Sequence, residues 1–205
     1  MRITLQDMNA YFAEMVAARR AQAGGASESP DDIVSILAHA EFRGGEVPTL
    51  ELLSYFALLV VAGNETTRNA ASGGLLALIE NPGELAKLKA DPSLVNKATE
   101  EIVRWTSPVI QFCRTPVDDL ELHGEKIPAG ENLCLLYPSA NRDEEVFEDP
   151  DTFKVDRSPN PHIGFGIGEH FCLGANLARL EIRIALEKLV PRLEGAELVG
   201  EMERM

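Results

Sequence analysis

Phe165-Gly166-Ile167-Gly168-Glu169-His170-Phe171-Cys172-Leu173-Gly174 is the stretch from which the rest of the chain is read. One thiol lies among three glycines, two residues after a histidine and just ahead of an amphipathic run. A cysteine at a helix start sits at the positive end of the helix dipole, which favours the thiolate. Gly166, Gly168 and Gly174 carry no side chains, so the backbone can approach a flat ligand and turn N–H groups toward sulfur. Two other readings stand beside that of a thiolate ligand. Cys172 can pack as a small buried hydrophobe, and a glycine-rich turn before a helix can bind an anion. A phosphate loop wants Lys and Ser or Thr after its last glycine, whereas this chain has Ala175 and Asn176 there.

The 205 residues are 45% hydrophobic and 25% charged, a globular composition with material for a real core. A net charge of −14, from 33 acidic and 19 basic residues, disfavours nucleic acid and anionic membrane surfaces as partners. Cys113, Cys134 and Cys172 are odd in number and lack CxxC spacing, which argues against a disulfide framework and for a reducing, cytoplasmic setting. The N-terminus lacks a signal-peptide apolar stretch, and the longest apolar run, residues 56–62, is too short to span a bilayer.

Helical periodicity is expected over residues 5–20, a Gly/Ser loop over 22–30, and a short helix capped by Asp31 or Asp32. Thr49 is the expected N-cap of a long helix over about 49–79, with an apolar stripe at 50, 53, 56, 57, 60 and 61. Asn81-Pro82 stops it and starts another helix, and Asp91-Pro92-Ser93 starts a third that runs to about Thr106. Residues 109–136 alternate strand-like pieces with turns, and residues 141–168 are loop-rich. Helix returns over about 173–193, with Leu177, Leu180 and Ile184 on one face. The fold class is mainly α with minor antiparallel β.

Within the long helix, Ala62-Gly63-Asn64-Glu65-Thr66-Thr67 is an unusual interior, since Gly63 alone costs about 1 kcal/mol relative to Ala. Such a cluster is expected to loosen the backbone ladder. The apolar flanks 58–61 and 75–79 predict burial, and an acid beside an alcohol can relay protons to a buried site. Glu101 and Arg104 share a helix face at i and i+3; if buried, the pair needs further partners, for which Arg157 is a candidate. Arg114 and His170 are candidate anion ligands, while His162 and His123 read as loop or surface histidines.

Together these pieces resemble the cytochrome P-450 family of haem-thiolate monooxygenases. The resemblance rests on Phe165-Gly-x-Gly-x-His170-x-Cys172-x-Gly174, joined in order by Ala62-Gly63-x-Glu65-Thr66, Glu101-x-x-Arg104 and Phe153-x-x-x-Arg157. It implies the C-terminal, haem-binding part of that fold, incomplete at both ends. The helix over 49–79 would be the central distal helix, 93–106 the helix of the Glu–Arg pair, and 173–193 the proximal helix.

The resemblance further implies haem b (iron protoporphyrin IX) with Cys172 as axial iron ligand. Phe165, Gly166, Gly168 and Gly174 would form the haem loop, and Arg114 and His170 would hold propionates. Ala62 and Gly63 would lie over the distal face, and Glu65 and Thr66 would deliver protons for oxygen activation. Glu101, Arg104 and Arg157 would form a structural triad, and Val109 and Ile110 would line the substrate pocket.

The implied activity is insertion of one oxygen of O2 into an unactivated C–H bond of a lipophilic substrate. The implied partners are a ferredoxin and an NAD(P)H-dependent ferredoxin reductase. Asn64-Glu65-Thr66-Thr67-Arg68-Asn69 and Trp105-Thr106-Ser107-Pro108-Val109 look most like actinobacterial sterol side-chain hydroxylases. Two alternatives stay open: a truncated haem-binding fragment without turnover, and a non-haem helical interaction protein in which Cys172 merely packs.

Overall fold

The computed structural model describes residues 4–21 and 32–200, so the expected 22–30 loop and a cap at Asp31 lie outside the described residues. Two compact units divide the chain between Asn64 and Glu65.

The first unit holds α1 (Leu5–Ala21), α2 (Ile33–Ala38), a hairpin of β1 (Glu41–Phe42) and β2 (Gly45–Glu46), and the start of α3 (Thr49–Glu80). Asp32 caps α2 by accepting the Ser35 N–H at 2.9 Å. Arg43 and Gly44, both at positive φ, turn the hairpin. Arg20 ties these pieces together, with Nε donating to the Ala38 carbonyl at 2.9 Å and Nη2 to that of Val47 at 2.8 Å. Val16, Leu52 and Phe56 form the core, with Phe12 stacked on Phe56 at 4.7 Å.

Three expectations about α3 are corrected. Pro48, not Thr49, is the entry residue, since its carbonyl accepts the Leu52 N–H. The buried stripe runs through Leu52, Phe56 and the half-buried Leu59, whereas Leu50, Val60 and Val61 are exposed. Of the expected stripe Phe56 is buried and Leu53 and Ala57 are half-buried, because the run is apolar on several faces and periodicity does not select one. Finally, α3 passes through residues 62–67 as unbroken α-helix. Its flank at Leu58 and Val61 is exposed rather than buried.

The second unit, by itself, is built on the rest of α3 with α4 (Pro82–Ala90), α5 (Val95–Thr106), α6 (Tyr137–Ala140) and α7 (Ala175–Leu189). Pro82 opens α4, and Asn81 Nδ2 turns back to the Ala77 carbonyl at 2.8 Å, satisfying an end group of α3. A 3-10 turn at Pro92–Leu94 precedes α5, with Asp91 accepting the Ser93 N–H at 3.0 Å. Ser107 closes α5 in the left-handed region at φ 39°.

Its core gathers Ala77, Leu78, Leu88, Ala98, Ile102 and Phe153 with Ile182 and Leu186 of α7. The buried face of α7 is thus Ala175, Ile182 and Leu186. Leu177, Leu180 and Ile184, expected to form a common face, are exposed. The helix begins at Ala175 rather than 173 and passes into a 3-10 turn at Val190–Arg192.

In this second unit two separate antiparallel pairs add to the β1–β2 hairpin of the first. Strand β3 (Gln111–Arg114) pairs with β6 (Leu133–Leu136), and β4 (Leu120–Leu122) with β5 (Glu125–Ile127). Among the described residues no helix is long and apolar enough to cross a membrane.

Candidate functional site

The frame of the site is a buried carboxylate with two guanidinium groups. Glu101 and Arg104 are fully buried, and Arg157 is nearly so. Arg104 donates from Nε and Nη2 to the two Glu101 oxygens, each at 2.8 Å, and Arg157 Nε adds a third bond at 2.9 Å. The Lys154 N–H and Asn160 Nδ2 also donate to Glu101, so the carboxylate is filled. The remaining N–H groups of Arg104 reach the carbonyls of Asn141, Pro150 and Thr152. Arg157 likewise reaches those of Glu148, Asp149 and Thr152. A charge cluster this dry persists only because its hydrogen-bonding groups are paired in this way.

The frame reaches the cysteine loop through Ser107 and Asn141. Ser107 Oγ donates to the Arg104 carbonyl at 2.9 Å and accepts from Asn141 Nδ2 at 2.9 Å. Asn141 Oδ1 then accepts the Ile163 N–H at 2.8 Å, fixing the loop's base. One residue on, Gly164 packs directly on α5, where a Cβ would stand 2.7 Å from Val103 Cγ1.

The loop closes on itself. The Cys172 N–H donates to the Phe165 carbonyl at 2.9 Å, and the Gly166 N–H to that of Ile163 at 2.8 Å. Gly166 and Gly168 take φ near +75°, which a side chain would strain. A short 3-10 turn, Gly168–His170, leads to Phe171 and Cys172. Cys172 is exposed, which removes the reading of a buried packing cysteine. Its sulfur lies 4.0 Å from where a Gly174 Cβ would stand, and Gly174 is the N-cap of α7. The sulfur therefore lies at the N-terminal end of that helix.

A second ion cluster braces the loop, and sequence reasoning missed it. Arg179 on α7 lays its guanidinium 4.4 Å from the Phe165 ring centre and makes two bonds to Glu100, at 2.6 and 2.9 Å. Glu100 also pairs with His162 Nε2 at 3.0 Å. His162 Nδ1 accepts the Gly164 N–H, so Nε2 carries the proton and donates. His162 lies in a loop, one of the two places expected for it, and its side chain is only 3% exposed, so it is not a surface residue. Burial pushes Glu100 up, but the bonds from His162 and Arg179 and the Arg179 charge outweigh it and hold the carboxyl at about 2. The available signal was Phe165 and Arg179 flanking the thiol; Glu100 stood beside the more conspicuous Glu101.

The other candidate residues are spread over both units. Ala62 and Gly63 are exposed residues of α3 in the first unit. Glu65 and the half-buried Thr66 begin the second. Glu65 is 69% exposed and pairs with Arg68 at 2.9 Å. Arg114 ends β3 with Nη1 on the Cys113 carbonyl, and His170 is an exposed residue of the 3-10 turn. Val109 is half-buried, while Ile110 is exposed and accepts the Tyr137 N–H.

Among the described residues no three His, Cys, Asp or Glu side chains are grouped to hold a metal ion by themselves. A single thiolate donor fits an ion whose other positions a cofactor fills. Phe171 and Leu173, the chain neighbours of Cys172, and Ile167 of the same loop are exposed and provide apolar surface of the kind a flat macrocycle covers.

The fold and this cysteine loop define a haem-thiolate class of protein. The family profile described as Cytochrome P450 matches residues 2–197, and the chain belongs to that family. It is 49% identical over 201 residues to a methyl-branched lipid omega-hydroxylase of Mycobacterium tuberculosis, covering 97% of this chain and 46% of that protein. It is 42% identical over 193 residues to a steroid C26-monooxygenase of the same species, covering 94% of this chain and 50% of that protein. The solved structure of a Mycobacterium marinum cytochrome P450 in complex with pseudoionone superposes with a TM-score of 0.85 at 42% identity, covering 92% of this chain and 44% of that one. The chain thus spans about half the length of the curated relatives it matches.

Proposed function

We propose that the protein is a haem-thiolate monooxygenase that inserts one oxygen of O2 into an unactivated C–H bond of a lipophilic substrate. The proposed substrate class is the side chain of a steroid such as cholestenone. Relatives named as a steroid C26-monooxygenase and a methyl-branched lipid omega-hydroxylase support a hydrophobic chain as the target. The single observation that carries this reading is Cys172, exposed at the head of α7 in a loop closed by its own N–H.

In this reading Cys172 holds the iron of haem b, with Phe165, Gly166, Gly168 and Gly174 shaping the loop around the sulfur. Haem ligated by a thiolate supplies, when bound, the O–O cleavage for which this family is known. The Arg114 guanidinium and the His170 imidazole bind propionate carboxylates. Solvent-exposed Glu65 takes up a proton from water once released from Arg68, and the Thr66 hydroxyl passes it inward. Ala62 and Gly63 are assigned to the distal side of the haem, and Val109 and Ile110 to the substrate pocket. Electrons come from a ferredoxin and an NAD(P)H-dependent ferredoxin reductase, in a cytoplasmic setting.

The test is the absorption spectrum of the reduced, CO-treated protein, followed by turnover of cholestenone with ferredoxin and reductase. The red-shifted Soret band of a CO-bound haem-thiolate is expected, with oxidation at the terminal side-chain carbon. Folded protein that binds haem without that band would overturn the assignment of Cys172. The band without any product would leave a haem-binding protein without turnover.

A further inference from the structure

Cys113 and Cys134 stand directly opposite each other in the β3–β6 ladder. The Tyr137 N–H donates to the Ile110 carbonyl, so the pair one step before the ladder is hydrogen-bonded. Alternation then makes 111/136 a non-hydrogen-bonded pair, 112/135 hydrogen-bonded, and 113/134 non-hydrogen-bonded. In that kind of pair the Cα atoms approach to about 4.5 Å and the side chains point to the same face. This falls at the short end of the Cα range that a disulfide bridges, roughly 4.4–6.8 Å. Both thiols are exposed, and neither is in a disulfide.

We propose that Cys113 and Cys134 form a redox-active dithiol that peroxide converts to a cross-strand disulfide. The thiolate of one attacks hydrogen peroxide, giving a sulfenic acid and hydroxide. The thiolate of the other attacks that sulfur, forming the S–S bond and releasing a second hydroxide. Two thiols lose two electrons in all, peroxide gains them, and two waters result once protons are taken up. A small thiol reductant reverses the reaction.

The surroundings agree with two thiols in contact. Desolvation by neighbouring atoms, then the charge of Cys113 and a hydrogen bond with it, push the Cys134 thiol up. Cys134 Sγ also lies 3.1 Å from Gln111 Oε1, on the same face of the ladder. The bridge would lock the strand that ends in Arg114, and it makes no use of Cys172.

Peptide mapping of the folded protein after hydrogen peroxide tests this. Trypsin separates residues 105–114, carrying Cys113, from residues 127–142, carrying Cys134. We expect these two peptides joined, with the loss of two hydrogens, and separated again by dithiothreitol. The link should persist in Cys172→Ala and vanish in Cys113→Ser and Cys134→Ser. Protein oxidised in guanidinium should instead scramble links among all three cysteines. Folded protein that gives no 113–134 link, or gives it no more often than the scrambled control, overturns the proposal.

Discussion

Arg104 grips Glu101 with two parallel hydrogen bonds, each of 2.8 Å, in a place where neither side chain meets solvent. Such a pair adds little stability beyond what apolar residues of the same size would supply, but breaking it strands a charge. Glu101→Ala leaves the Arg104 and Arg157 guanidiniums facing a dry hole. We expect a loss of about 3–5 kcal/mol, read from the urea midpoint. Arg157→Lys keeps the charge but loses the forked contacts to Glu148, Asp149 and Thr152, and should also be destabilising. Equal midpoints for the parent and Glu101→Ala would refute this account of the hub.

Glu100 gives the chain an acid sensitivity of calculable sign. Its carboxyl falls from 4.5 to about 2 in the folded protein. A depressed carboxylate contributes stability above its unfolded pKa, and that contribution is lost as pH falls from about 4.5 towards 2. Partial exposure screens the pair, so the contribution is on the order of 1–2 kcal/mol. Glu100→Gln should therefore be less stable than the parent at about pH 6 and close to it near pH 2. Unfolding midpoints of both proteins across that range are the check, and a constant gap would contradict it.

What was legible in the sequence follows from the range of the forces involved. Proline, asparagine and aspartate act within a turn, so the breaks at Asn81-Pro82 and Asp91-Pro92 were readable to a residue. The cysteine loop was readable because three glycines around one thiol leave a local signature. Burial of an amphipathic face depends on distant partners, and spacing alone does not select it. Leu177, Leu180 and Ile184 are apolar at helical spacing, yet Ile182 and Leu186 face the core. Glu100, His162 and Arg179 are 62 and 79 residues apart in the chain, and nothing local marks them as partners.

Gly74 is a test of how tightly α3 meets α5. A Cβ placed there would stand 2.6–2.8 Å from three side-chain atoms of Ile102, which is fully buried. Gly74→Ala gains helix propensity but overpacks the contact, for a net loss of about 1–3 kcal/mol. In an Ile102→Ala background those atoms are gone, and the same substitution should become neutral or stabilising. A double-mutant cycle measures the coupling, and additivity within about 0.5 kcal/mol would exclude the contact.

Cys172 and Thr66 should separate stability from chemistry. Cys172 is exposed, and its loop is tied by its backbone N–H rather than its sulfur. Cys172→Ala should therefore shift unfolding by no more than about 0.5 kcal/mol while abolishing the thiolate band of the reduced CO complex. Thr66→Ala should keep that band, because in the proposed scheme the hydroxyl handles protons and does not ligate the iron. If Thr66 passes the proton, product formed per O2 consumed should fall on the order of tenfold or more, with peroxide making up the difference. Thr66→Ser, which retains the hydroxyl, should restore most of the coupling. Measured O2 uptake against product decides the point, and unchanged coupling in Thr66→Ala would remove the residue from the proton path.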